Sequence, residues 1–277
     1  MTTPSRATPA VAPEILEFYG ETIDEADRLT SSADGILEML RTQEILRRHL
    51  PSPPASILDV GGGPGAHARW LVKDGYAVHL IDPVPRHVEQ ATATGATTEL
   101  GDARALTAAD GTYDVVLLLG PLYHLLERDD RLQALAEARR VARPGGLVAA
   151  AAIGRYASLF EHTATTWLST KPHVREVVGD ILRTGIHEPG RKGFTAAYFH
   201  TAGELAEEMS AAGLTDAQVL SVEGPTWGAL KATEHHTDAQ LDTSGPLFTA
   251  ALEAARLAEP YPELLAAASH MIAIART

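Results

Sequence analysis

The stretch Ile57–Gly65, I-L-D-V-G-G-G-P-G, restricts the fold of this chain more than any other. Apolar residues at 57, 58 and 60 suit a strand covered on both faces, as in a parallel sheet. Glycines at 61, 63 and 65 then let the backbone turn sharply and approach a ligand with no Cβ in the way. A helical pattern starts at Ala66, so the amides of its first turn would point into the crevice beyond the strand end. Strand, glycine turn and helix in this order predict a site for a nucleotide-type cofactor.

The loop alone leaves the cofactor open. Gly61, Gly63 and Ala66 also satisfy the dinucleotide fingerprint in its G-x-G-x-x-A form. Asp82, at the end of the apolar run Ala77–Ile81, stands where a ribose-binding carboxylate is expected with either kind of cofactor. Further along, Thr97–Leu100 leads into Gly101-Asp102-Ala103. A strand at Tyr113–Leu119 follows, then the turn Gly120–His124, a helix, Arg143-Pro144-Gly145-Gly146 and a strand at Leu147–Ile153. In this order the set resembles class I S-adenosylmethionine-dependent methyltransferases over Ile57 to Ile153. The motifs that carry the resemblance are D-x-G-x-G-x-G at Asp59–Gly65, Asp82, G-D-A at Gly101–Ala103, L-L-G-P-L-Y-H at Leu118–His124 and R-V-A-R-P-G-G-L at Arg140–Leu147.

Alternation of strand and helix with buried apolar runs predicts an α/β fold with a doubly wound, mostly parallel sheet. The resemblance adds a last antiparallel pair, at Ala217–Val222 and His270–Ala275, for seven strands in all. The expected organisation is a loose tail over 1–13, a helical cap over 14–54, the Rossmann-like core over 55–153, a helical lid insertion over 154–200 and the remainder of the core over 201–277. Core helices are expected at Ala66–Asp74, Pro85–Thr94 and Arg128–Ala142, with Ile36–Leu50 in the cap and Tyr156–Thr170 and Val174–Arg183 in the insertion. Thr201 and Glu204 form a capping-box pattern. Gly224–Gly245 reads as polar, with turn signals.

The resemblance implies S-adenosyl-L-methionine as cofactor and S-adenosyl-L-homocysteine as product, held along the strand ends by Gly61, Gly62, Gly63, Leu119 and Gly120. Asp82, with Pro83 beside it, would accept both ribose hydroxyls; capping a helix ahead of Pro83 is the other reading. Asp102, with Ala103, would pair with the adenine amino group, or else form a turn. Asp59 is expected ionised, accepting amides of the glycine loop. Tyr123 and His124 fall where the family faces the methyl group. His124 is the candidate general base or acceptor-orienting group, against a role packing under the next helix, and Tyr123 shapes the methyl pocket or packs in the core. Tyr19 is assigned to closing the pocket and Arg28 to the methionine carboxylate, with an exposed helix face as the alternative for each.

Histidines 162, 173, 187 and 200 and the Glu234-His235-His236 run show no H-x-x-x-H spacing, so no metal is expected. Trp167, Phe194, Tyr198, Phe199 and Trp227 are candidates for an apolar acceptor pocket, or for core. A net charge of −13, from 23 basic against 36 acidic residues, disfavours nucleic acid, as does the lack of an N-P-P-Y motif after the fourth strand. No apolar run approaches the roughly 20 residues of a membrane helix. The absence of cysteine removes disulfides and thiolate chemistry and agrees with a cytoplasmic location.

The expected activity is methyl transfer to O, N or C of a small organic acceptor, with no nucleic-acid or membrane partner and with a homodimer left open. An Ala- and Pro-rich composition suggests a GC-rich bacterial source and specialised metabolism. The other readings are a non-methylating reaction on the same cofactor, a nicotinamide-dependent oxidoreductase and a non-catalytic binding module.

Overall fold

Alternate residues of β1 (Ser56–Val60) enter two different cores, as a strand with period two must when both of its faces are covered. Leu58 and Val60 join Val116 and Leu118 on one face, and Ile57 joins Val115 and Leu117 on the other. In a computed structural model, which describes residues 13–22, 27–188 and 195–277, this alternation runs through a seven-stranded sheet. The expected tail falls almost wholly outside the described residues. Strands β2 (Ala77–Asp82), β3 (Thr97–Leu100), β4 (Tyr113–Leu118) and β5 (Ala142–Ile153) run parallel to β1.

A two-stranded pair, β6 (Ile186–His187) and β7 (Ala197–Tyr198), lies outside this sheet; β8 (Gln218–Ser221) and β9 (His270–Arg276) complete it. The order is β3-β2-β1-β4-β5-β9-β8, with β9 antiparallel to both neighbours and Ile153 opposite His270.

The described residues open with α1 (Pro13–Glu17) and a π turn, Phe18–Thr22. Helices α2 (Ala33–His49) and α3 (Ala66–Lys73) cover one face through Ile45, Leu46, Ala68 and Leu71, and α4 (Pro85–Ala91) adds Ala91. On the other face lies α5 (Arg128–Val141), with Ala134, Leu135, Ala138 and Val141. Between β5 and β8 come α6 (Ala157–Ala164), α7 (Trp167–Thr170), α8 (Pro172–Thr184) and α9 (Ala202–Ala211). The last of these adds Leu205 and Met209 to the α5 side, and its N-terminus carries the complete Thr201–Glu204 capping box. Helices α10 (Trp227–Thr237), α11 (Pro246–Ala258) and α12 (Pro262–Leu265) separate β8 from β9.

Three local expectations are corrected. The segment read as polar turns contains α10, because Trp227 and Leu230, one helical turn apart, bury against Ala33 and Leu37 of α2 and Phe248 and Ala251 of α11. The helix expected over Tyr156–Thr170 is broken at Thr166, whose φ of 61° is left-handed. Helix α2 starts three residues early because the Ser32 hydroxyl accepts from Gly35 N at 3.2 Å.

A charged network joins α2 to the carboxyl edge of the sheet. Arg28 pairs with Glu38 through two bonds of 2.8 and 2.9 Å, and His270 Nδ1 lies 2.5 Å from Glu223 Oε1 and 3.6 Å from Glu38 Oε2. Burial works against a charge on His270, but Glu38 and Glu223 raise it to about 9 from 6.5. Burial also opposes the charge on Glu38, yet Arg28 and His270 hold it at about 2, below 4.5. Since the folded value of His270 is the higher one, its contribution is full below pH 6.5 and is lost as pH rises through about 9. The melting temperature is therefore expected to fall by several degrees over that interval. A His270→Gln variant should be less stable at pH 6 and show a flatter decline; an unchanged slope would remove His270 from the account.

Candidate active site

The glycine turn requires glycine for two separate reasons. Gly61, Gly63 and Gly65 have φ of 67°, 57° and 88°, where side chains are rarely tolerated. At Gly62 the conflict is one of space: a Cβ would lie 2.7 Å from Asp59 Oδ2 and from Leu80 Cδ1. The turn is tied to β2, with Gly61 N donating to the Ile81 carbonyl at 2.7 Å and Gly63 N to Asp82 Oδ2 at 2.8 Å.

Beyond the strand ends the turn borders a cavity of about 410 Å³, within the range of small-ligand sites. Parallel crossovers bring the ends of β1, β2, β3 and β4 to this one edge. Every residue singled out from the sequence as a candidate cofactor or catalytic group lines it: Tyr19, Arg28, Asp59, Gly61, Gly62, Gly63, Asp82 with Pro83, Asp102 with Ala103, and Leu119, Gly120, Tyr123 and His124.

Their individual states differ in part from expectation. Asp82 is not a helix cap: α4 begins at Pro85 after Val84. Its Oδ2 takes Gly63 N, while Oδ1 takes Val84 N at 2.9 Å and His87 Nδ1 at 3.1 Å, so three of its roughly four acceptor positions are filled. Asp59 does not accept the loop amides. Neither of its oxygens has a hydrogen-bond partner, although the residue is fully buried. Burial, aided by the charge of Asp82, pushes its carboxyl up to about 7, so it is not firmly ionised as expected. Asp102 is gripped by Arg104, which donates Nε to Oδ1 at 3.0 Å and Nη2 to Oδ2 at 2.7 Å. An adenine amino group would thus share Asp102 with a guanidinium.

At the other end of the cavity, Arg28 projects from the segment before α2 and is steadied by Glu38. His67, on the first turn of α3, accepts the Trp70 indole N–H on Nδ1 at 3.2 Å, which leaves its proton on Nε2. Burial lowers His67 to about 4. Tyr19 Oη lies 2.9 Å from His124 Nε2, and the Tyr19 ring meets His87 and His124 edge-on, with centroids 5.6 and 5.3 Å away. Burial also lowers His124 to about 4, while a hydrogen bond with the Ala196 backbone and the charge of Asp82 work the other way.

His67, His87 and Arg104 were missed in the sequence. The signal for His87 was its place in the first turn after Asp82, and for Arg104 its position two residues after Asp102. The other aromatic candidates among the described residues do not line the cavity. Trp227 is in the α2–α10–α11 core with its indole bound to the Ala267 carbonyl at 2.9 Å, Phe199 packs on Ile153 and Ile181, and the Tyr198 ring lies 3.8 Å under the Arg131 guanidinium. Trp167 meets His162 and His235, 5.7 and 5.5 Å away, and Phe194 lies outside the described residues. His235 and His236 sit on α10, not in a loop; His236 Nε2 is 2.9 Å from the Ala164 carbonyl.

Residues 57–146 match the methyltransferase domain family. The chain is 34% identical over 114 residues to a malonyl-[acyl-carrier protein] O-methyltransferase of Methylococcus capsulatus, covering 39% of this chain and 40% of that protein. It is 35% identical over 105 residues to a 2-methyl-6-phytyl-1,4-hydroquinone methyltransferase of Synechocystis, covering 36% of this chain and 32% of that one. The matched stretch thus spans well under half the length of these curated relatives. A crystal structure of an S-adenosylmethionine-dependent methyltransferase from Thermotoga maritima superposes with a TM-score of 0.57 at 17% identity, over 95% of this chain and 98% of that one. The chain therefore carries a methyltransferase domain on the class I S-adenosylmethionine-dependent methyltransferase fold.

Proposed function

We propose that this protein transfers the methyl group of S-adenosylmethionine to a small organic acceptor. The observation that carries the reading is Asp59: a fully buried carboxyl with no hydrogen-bond partner, lining the cavity behind a glycine cradle that a Cβ would fill. Such a group is costly to bury alone and calls for a cationic or N–H partner, and an amino-acid ammonium supplies both. Gly61, Gly62 and Gly63 then carry the backbone past the methionine portion, and Arg28 and His67 present N–H groups to its carboxylate. Asp82 offers its remaining acceptor position to the ribose, and Asp102 with Ala103 borders the adenine. Pro83, Leu119 and Gly120 wall the cavity.

When bound, S-adenosylmethionine supplies a methyl already activated on a sulfonium, so the protein's task is chiefly to align it with the acceptor. Alignment of this kind is worth about 7–11 kcal/mol. Tyr123 and His124, in the turn after β4, border the place from which the acceptor approaches. An excess of acidic residues and a cavity closed by Tyr19 from the N-terminal segment favour a small acceptor over a nucleic acid. The helices between β5 and β9 are read as the acceptor-side enclosure, and specialised metabolism in a bacterium remains part of the proposal.

Incubation with methyl-tritiated S-adenosylmethionine and a small-molecule extract should move label into the organic fraction. Turnover of the cofactor with no label in any product would favour a non-methylating reaction on the same fold.

A further inference from the structure

We infer that the group meeting the acceptor is the Tyr19 hydroxyl, with His124 behind it as the proton store; this rests on the methyl-transfer reading above. Tyr19 and His124 come from positions 105 residues apart and meet at 2.9 Å, Oη to Nε2, on the wall of the cavity. The neutral ring carries one N–H, and the inference places it on Nδ1, so that Nε2 accepts from the Tyr19 hydroxyl. Burial keeps the ring neutral, and therefore able to accept, across the neutral range.

His124 Nε2 is thus already engaged, and what the pair offers the acceptor is the Tyr19 oxygen. The Tyr19 ring is steadied edge-on between His87 and His124, and Asp82 holds His87 through Nδ1 at 3.1 Å. The acceptor class this arrangement suits is a nucleophilic atom that enters carrying a proton. As the bond from that atom to the methyl carbon forms, the carbon–sulfur bond breaks and its electron pair stays on sulfur. The acceptor's proton passes to Tyr19 Oη while the Tyr19 proton passes to His124 Nε2. The imidazolium so formed is met by the Ala196 carbonyl and by the field of Asp82, with Arg28 opposing, and its proton later leaves to solvent.

The test needs no knowledge of the acceptor. Sinefungin has a carbon bearing a primary amine in place of the sulfonium and its methyl, so its ammonium samples the position where the acceptor's proton would be. Calorimetric affinities for sinefungin and S-adenosylhomocysteine are compared in the native protein and in Tyr19→Phe. Removing the hydroxyl should cut the preference for sinefungin by about tenfold and leave S-adenosylhomocysteine affinity within about twofold. An unchanged preference in Tyr19→Phe would overturn the inference while leaving the methyl-transfer reading standing; failure of either ligand to bind the native protein would remove that reading instead. Independently, nitrogen-15 spectra of the native protein, with His124 assigned by the His124→Asn variant, should show the ring proton on Nδ1 and a shift of Nε2 in Tyr19→Phe. A proton on Nε2 would overturn the dyad whatever the ligands do.

Discussion

Asp59→Asn raises the melting temperature of the ligand-free protein while weakening its hold on S-adenosylhomocysteine. The two effects have one cause. The Asp59 carboxyl is buried without a partner, and its folded value of about 7 lies far above its ordinary 3.8. A raised carboxyl value costs the folded state stability as pH climbs from about 4 to about 7, and the full cost is present above that. An amide carries no such charge, although its own unmet hydrogen bonds take back part of the gain. The net stabilisation expected at pH 8 is on the order of 1 kcal/mol, a few degrees of melting, and it should shrink toward pH 5. Binding moves in the opposite direction, because the ligand's ammonium loses a charged partner. A loss of roughly 30-fold or more is expected. A less stable variant that binds as well as the native protein would make Asp59 an ordinary structural carboxylate.

Arg131→Met should produce the largest loss of stability. The Arg131 guanidinium is almost wholly buried and donates to Glu208 through Nε and Nη2, and to the Leu125 and Leu126 carbonyls at 2.8 and 2.7 Å through Nη1. His200 Nε2 lies 3.2 Å from the same carboxylate. Breaking a buried pair by removing one partner costs about 3–5 kcal/mol, since the other charge is stranded. Urea unfolding should show a loss of that size, with much of it recovered in Arg131→Met combined with Glu208→Leu. Leu125 and Leu126 also line the cavity, so the single variant should weaken cofactor binding as well. A loss under about 1 kcal/mol would mean that the network relaxes around the missing charge.

Much of the sheet was legible because its strands are continuous apolar runs bounded by glycine or aspartate, and those signals are local. The glycine turn, Asp82 and Asp102 could be grouped before any coordinates because right-handed crossovers send the strand ends to one edge. What was not legible depends on contacts distant in sequence. Helix α10 forms around Trp227 and Leu230 only because α2 and α11 supply a surface for them. Asp59 reads as an ionised loop anchor until the structure shows that the loop amide at Gly63 goes to Asp82 instead. Arg28, Tyr19 and His124 could each be named from position, but the pairing of Arg28 with Glu38 and of Tyr19 with His124 arises from packing of the N-terminal segment across the sheet edge.

Calorimetric titration of the purified protein with S-adenosylhomocysteine, beside a nicotinamide dinucleotide control, tests the central claim most directly. One saturable site for the sulfur ligand, a rise in melting temperature with its concentration and no response to the dinucleotide are the predicted results. No heat and no melting shift with S-adenosylhomocysteine, or binding of the dinucleotide in its place, would contradict the account.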